Sequence, residues 1–287
     1  LSDMPAQIID GRAIAQKLRE QIKNRVEKIN ESGIIPGLAV VLVGDDPASQ
    51  IYVNNKVKAC RECNIKSEVI KLPVTTSEEY LLQEIEKLNQ RTDVHGILVQ
   101  LPLPNQIRER VIIEALKPEK DVDGLHPFNQ GKLFAGNPGL VPCTPYGCLK
   151  LIESTGTAIS GKKAVIIGRS NLVGKPMAAL LLKENATVTI CHSRTQNLAS
   201  ITQTADILVV AIGQPNFITA EMVKPGSLVL DVGINRLPNG KLTGDVDFPA
   251  VRERAAWLSP VPGGVGPLTI TMLLENTLGA VYEQQNF

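Results

Sequence analysis

Three features of the sequence predict a two-domain α/β fold built on parallel sheets. Short runs at residues 38–43, 66–72, 96–101, 163–168, 186–191, 206–212 and 228–232 read as strands, those at 38–43 and 163–168 as buried ones. Segments of helical period separate them, and that alternation gives sheets covered on both faces. A glycine- and proline-dense stretch at residues 136–145 then marks the boundary between two halves.

In the first half, Asp10 caps a helix in which Ile14, Leu18, Ile22, Val26 and Ile29 recur at near-helical spacing, closed by Gly33. The strand at 38–43 ends at Gly44 and feeds a second helix, opened by Asp46 as N-cap with Pro47 at its first position. At about 100° per residue, Tyr52, Lys56, Ala59 and Cys63 fall within one narrow stripe, beside an apolar stripe of Val53, Val57 and Cys60. The helix docks by the apolar stripe, with Tyr52 and Lys56 together along its edge. A phenol one turn before an amine suits acid/base work; the same spacing fits a lysine snorkelling from a core-edge helix. The strand at 66–72, centred on Val69 and Ile70, precedes a capping box read at Thr76-x-x-Glu79 and a helix through Leu81, Leu82, Ile85 and Leu88.

Open α/β sheets gather function at the carboxyl ends of their strands. The third strand runs into Val99-Gln100-Leu101-Pro102-Leu103-Pro104, where the prolines stop the ladder and hold Gln100 at its tip. Such a glutamine could hydrogen-bond a lysine or a ligand amide, or simply precede a surface turn. Asp121-Val122-Asp123-Gly124 is turn chemistry, and a loop carboxylate there can also accept paired N–H donors from a heterocycle. His126, before Pro127, reads as a loop residue.

In the second half, the strand at 163–168 passes through Gly168-Arg169-Ser170-Asn171-Leu172-Val173-Gly174-Lys175-Pro176 into a helix carrying Met177, Leu180 and Leu181. Strand, glycine turn and helix form the frame of a dinucleotide-binding unit, although Ser170 stands where the second glycine is expected. The strand at 186–191 ends in His192-Ser193-Arg194, with no carboxylate for a ribose hydroxyl. Together with Arg169, this favours a phosphorylated ribose and hence NADP over NAD. Two further strands end at Gly213 and Gly233, whose bare backbones admit close approach. Ser259 to Pro267 is too rich in proline and glycine for a regular element; it is either a linker or a loop whose amides meet a ligand, ahead of a final helix.

A formal net charge of +1, without a basic stripe or acidic tail, argues against nucleic acid or a membrane surface as partner. The longest apolar runs, such as residues 207–212, are far below the ~20 residues of a membrane span. Five cysteines are an odd number, unlike a disulfide framework, and Cys60-x-x-Cys63 inside a helix has no answering pair. With only three scattered histidines, no metal site is expected. Reduced, packed thiols and the lack of a basic-then-apolar leader place the expected compartment in the cytoplasm.

Taken in order, Asp46-Pro47-Ala48-Ser49-x-x-Tyr52-Val53-x-x-Lys56, Val99 to Pro104, Asp121 to Gly124, Gly168-Arg169-Ser170-x-x-Val173-Gly174-x-Pro176 and Pro262-Gly263-Gly264-Val265-Gly266-Pro267 resemble the bifunctional methylenetetrahydrofolate dehydrogenase/cyclohydrolase family over essentially the whole chain. The resemblance implies an amino-terminal catalytic domain (1–145 plus the final helix, 268–287), a Rossmann domain (146–267) across a cleft, and a homodimer. It implies oxidation of 5,10-methylenetetrahydrofolate by NADP, then hydrolysis to 10-formyltetrahydrofolate; a monofunctional dehydrogenase is the alternative. On this reading Lys56 is the acid/base, Gln100 orients it, Tyr52 stacks on or hydrogen-bonds the folate, and Asp123 accepts pterin donors. Val99, Leu101, Pro262, Gly263 and Gly264 complete the substrate side, the last three in a loop bordering both ligands. Gly168, Arg169, Ser170, Ser193, Arg194, Gly213 and Ile234 bind the cofactor, with Arg169 and Ser193 at the 2′-phosphate.

Overall fold

The computed structural model describes residues 4–285. In chain order the elements are β1 (Gln7–Ile8), α1 (Gly11–Glu31), β2 (Gly37–Val43), α2 (Pro47–Glu62), β3 (Lys66–Leu72), α3 (Glu78–Gln90), β4 (Gly96–Val99), α4 (Glu109–Ala115), α5 (Pro127–Phe134) and α6 (Cys143–Ser154). They continue as β5 (Lys163–Ile167), α7 (Gly174–Lys183), β6 (Thr187–Cys191), α8 (Leu198–Thr202), β7 (Ile207–Val210), β8 (Leu228–Asp231), β9 (Asn235–Arg236), β10 (Leu242–Thr243), α9 (Phe248–Arg252), β11 (Trp257–Leu258) and α10 (Val265–Gln285).

The chain forms two compact units. The first joins Gln16–Cys143 to the residues from Ile270 onward. Its sheet is three parallel strands in the order β3-β2-β4, so the seven residues of β2 are central and buried on both faces. One face packs Val41, Ile97 and Val99 against Leu81 and Ile85 of α3 and Ile112 of α4. The helix α3 is capped one residue later than the sequence suggests. Ser77, not Thr76, accepts the Tyr80 N–H, because the Thr76 hydroxyl turns back to donate to Pro73 O. His126 lies in the bend before α5, as the sequence suggests, and there serves as the helix N-cap, its Nδ1 accepting the Phe128 N–H at 3.0 Å. The buried His95 accepts the Gly37 N–H on Nδ1, and burial holds its pKa down.

The second unit joins the residues up to Ala15 to Thr144–Thr269. Its six strands, in the order β1-β11-β8-β7-β5-β6, are all parallel. The amino-terminal segment, expected with the catalytic half, packs here because β1 adds an edge strand beside β11. Asp10 then opens α1, its Oδ1 accepting the N–H groups of Arg12 and Ala13. Val165, Leu208 and Val229, from the central strands, lie in a core that reaches Val251 of α9.

Candidate active site

Asp46 accepts the Ser49 N–H at 2.7 Å, starting α2 as its sequence predicts, and that bond lowers its pKa. Ser49, Val53, Ala59 and Cys60 are the buried face. The Tyr52 stripe therefore runs from a side chain 46% exposed, through a half-buried Lys56, to the buried Ala59 and Cys63. Lys56 Nζ donates to Gln100 Oε1 at 2.9 Å. Gln100 Nε2 in turn donates to Leu101 O at 2.8 Å, which dictates that its oxygen faces the lysine. Gln100 is placed by the sheet, since its backbone N–H continues the ladder to Val41 O beyond the end of β4. Val99 is buried within β4, and the peptide bond Leu101–Pro102 is cis.

Asp123 sits half-buried in the turn that precedes α5. Three residues hold this turn, and of these the sequence singles out only Asp121. Asn276 of α10 donates from Nδ2 to Val122 O at 2.8 Å and to Val141 O at 2.7 Å. Cys143, the first residue of α6, donates its thiol hydrogen to Val122 O at 3.3 Å. The buried Asp121 carboxylate accepts the His126 N–H at 2.7 Å and Asn129 Nδ2 at 2.9 Å, burial pushing its pKa up. Burial also drives the Cys143 thiol well up; the Asp123 charge adds to this and the Lys56 charge opposes it. Lys56 and Asp123, far apart in sequence, thus act on one thiol. Cys60 and Cys63 are packed, free thiols, pushed up to about 12 and about 11 by burial above all.

In the second unit the sheet brings the cofactor-side candidates into one row. β6, β5, β7 and β8 are neighbours in register, with Cys191 opposite Ile167, Ile167 opposite Val210, and Val210 opposite Asp231. Residues 168–170, 193–194, 213 and 234 consequently leave four adjacent strands at their carboxyl ends. The chain order also reverses across β5, where open sheets of this type bind ligands. Gly168 has φ +121°, and a Cβ there would lie 2.3 Å from Ala211 O, so the turn into α7 admits glycine alone. Ser170 Oγ accepts the Val173 N–H at 3.1 Å, a turn-closing role that explains a serine in place of the second glycine. Arg169, Ser170, Ser193, Arg194, Gly213 and Ile234 are all exposed. This frame fits a dinucleotide, and two exposed guanidinium groups with no carboxylate at the end of β6 fit a phosphorylated ribose.

The proline–glycine loop belongs to this unit too. Pro262 is exposed, following a cis Val261–Pro262 bond. Gly263 lies beside the Arg12 side chain, and Gly264 is buried beneath Gly11 at the start of α1. Among the described residues, no group of three or more His, Cys, Asp or Glu could hold a metal ion, and no helix is long and apolar enough to cross a membrane.

Two family models match the chain: the catalytic domain of tetrahydrofolate dehydrogenase/cyclohydrolase over residues 9–123, and its NAD(P)-binding domain over residues 142–285. A bifunctional protein FolD from Brevibacillus brevis is 55% identical over 281 residues, covering 98% of this chain and 99% of its own. The crystal structure of the bifunctional FolD methylenetetrahydrofolate dehydrogenase/cyclohydrolase from Campylobacter jejuni superposes with a TM-score of 0.95 at 48% identity, covering 97% of this chain and 99% of the other. The Trypanosoma brucei FolD, complexed with NADP cofactor and inhibitor, gives a TM-score of 0.93 at 39% identity, with 99% of each chain covered.

Proposed function

Because the chain belongs to the tetrahydrofolate dehydrogenase/cyclohydrolase family, we propose that Lys56 moves the protons of its hydrolytic step and that the row of strand ends in the six-stranded sheet seats its NADP. The enzyme oxidises 5,10-methylenetetrahydrofolate to 5,10-methenyltetrahydrofolate with NADP, and hydrolyses the product to 10-formyltetrahydrofolate. NADP, when bound, accepts the hydride. That hydride leaves a carbon flanked by two nitrogens, which themselves carry the resulting positive charge, so the protein's task there is mainly alignment.

Hydrolysis asks for more. As water adds to the methenyl carbon, the Lys56 amine takes a proton from it; the ammonium then returns that proton to the ring nitrogen as the carbon–nitrogen bond breaks, and the adduct's hydroxyl proton leaves to solvent as the formyl carbonyl forms. The observation that carries this reading is the 2.9 Å bond from Lys56 Nζ to an amide whose orientation Leu101 O already dictates. Gln100 holds the nitrogen in one place through both transfers. Asp123 accepts N–H donors of the pterin, while Tyr52 covers the ring, with Val99 and Leu101 lining the remainder. Arg169, Ser193 and Arg194 receive the 2′-phosphate; Gly168, Ser170, Gly213 and Ile234 take the rest of the dinucleotide. Five cysteines that are all free and buried are in keeping with a reducing compartment, the cytoplasm. A homodimer is the assembly we assign, checked by light scattering.

Replacing Lys56 by Met tests the central role. Cyclohydrolase turnover, followed by the decay of methenyl absorbance, is expected to fall at least about a hundredfold, with folate affinity largely kept. Near-normal turnover in that variant removes Lys56 from the proton transfers.

A further inference from the structure

Two buried carboxylates take no part in the scheme above, yet they lie directly behind the cofactor-side loops. Asp245 has no exposed surface. Its Oδ2 accepts the N–H groups of Ile212 at 2.7 Å and Gly213 at 3.0 Å; its Oδ1 accepts the Gln214 N–H at 2.9 Å and Asn235 Nδ2 at 2.8 Å. One side chain therefore closes the loop after β7 and ties it to the segment after β8. Asp231, the last residue of β8, stands behind it and accepts the N–H groups of Asp245 at 2.9 Å, Val246 at 3.0 Å and Gly233 at 3.1 Å. Ser259 completes the stack, its hydroxyl accepting the Asp231 N–H at 2.8 Å.

The space for these carboxylates comes from two glycines. A Cβ on Gly233 would lie 2.1 Å from Asp245 Oδ1, and one on Gly244 would lie 1.8 Å from Asp231 Oδ2. Burying an anion is unfavourable unless its lone pairs are met, and here four donors meet one carboxylate and three the other. Closing a surface loop needs nothing of the kind. Holding three consecutive amides and a neighbouring segment in one arrangement does.

We propose that Asp245 is a positioning residue for the dinucleotide: it presets the 212–214 loop and the 233–235 segment, so that Gly213 and Ile234 meet the cofactor without first having to be ordered. The proposal rests on the reading that those two residues face NADP.

Asp245→Asn keeps the shape, but its single oxygen can satisfy only two of the four donors. In the full-length enzyme, the KM for NADP is expected to rise about tenfold, the worth of one well-made hydrogen bond. The KM for methylenetetrahydrofolate and the cyclohydrolase rate measured without NADP stay within about twofold. A parallel fall of both activities marks a merely structural residue and overturns the proposal, as does an unchanged KM for NADP. Should Asp245→Asn not fold, Asn235→Ala, which removes one donor and leaves the carboxylate held by three amides, is expected to raise the KM for NADP a few-fold with an unaltered Tm; no rise there also overturns it. Arg169→Ala separates the two layers of the argument. If it weakens NADP while the Asp245 and Asn235 variants do not, positioning alone fails; if none of the three does, the cofactor-site reading fails with it.

Discussion

The two units hold their functional loops by different chemistry. Around Lys56 the supports are mostly neutral: the Gln100 amide on the lysine, and the Asn276 amide and Cys143 thiol on the turn that carries Asp123, with Asp121 the one anion behind that turn. At the strand ends of the six-stranded sheet the supports are two buried carboxylates, which gather seven hydrogen bonds between them. The difference follows from what each loop must do. A group that gives and takes a proton is hindered by an anion at its side, which favours its charged form, whereas an amide oxygen orients it with less bias. Loops that only bind carry no such restriction, and charged acceptors make the stronger bonds to backbone N–H groups.

The largest effect that sharpens this contrast is expected at Asn276. Replacing it by Leu strips the half-buried Val141 O of its amide donor and leaves the buried Val122 O only the weak Cys143 thiol, so stability falls by about 2–4 kcal/mol. Because the lost group is neutral, the drop in denaturant midpoint should be the same at pH 5 and pH 8, and the KM for folate should rise while that for NADP holds. A strongly pH-dependent drop breaks the comparison.

Arg169→Ala comes next. The contact we propose between Arg169 and the 2′-phosphate is charge-assisted and worth about 1.5–3 kcal/mol, so the KM for NADP should rise roughly ten- to a hundredfold, with that for NAD little changed. Equal changes for both cofactors would give the arginine another job.

The smallest effect concerns Asp231. Burial pushes its pKa from 3.8 up to about 7; the Asp245 charge adds to this, and the three N–H donors pull it back. Between about pH 4 and pH 7 the folded protein keeps a proton that the unfolded chain has released, so this group makes stability fall as pH rises through that window and level off above it. Asp231→Asn should flatten that part of the Tm–pH curve. Parallel curves for the variant and the parent would show that Asp231 does not titrate there.

Much of this was legible in the sequence because it is local. The Asp46–Pro47 start of α2, the strand at Lys66–Leu72 and the Gly168 turn follow from side-chain shape, spacing and backbone freedom within a few residues. Even the Lys56–Gln100 pair could be anticipated, since Gln100 follows the end of β4 and Lys56 lies on α2, the helix fed by the neighbouring β2. Where two local choices compete, sequence decides less well: Thr76 and Ser77 are equally good caps by type, and the return of the Thr76 hydroxyl to Pro73 O settles the matter.

What the sequence determined alone was the alternation of strand and helix, the parallel sheets and the side chains offered at the strand ends, since periodicity and turn chemistry are written within a few positions of one another. Tertiary structure decided which residues stand behind them. Asn276 reaches Val122 across 154 positions, and Asp245 reaches Ile212 across 33. An amide on a mostly apolar helix, or an aspartate in a turn, looks the same in sequence whether it meets solvent or a buried backbone group; only the folded chain supplies the partner that distinguishes them.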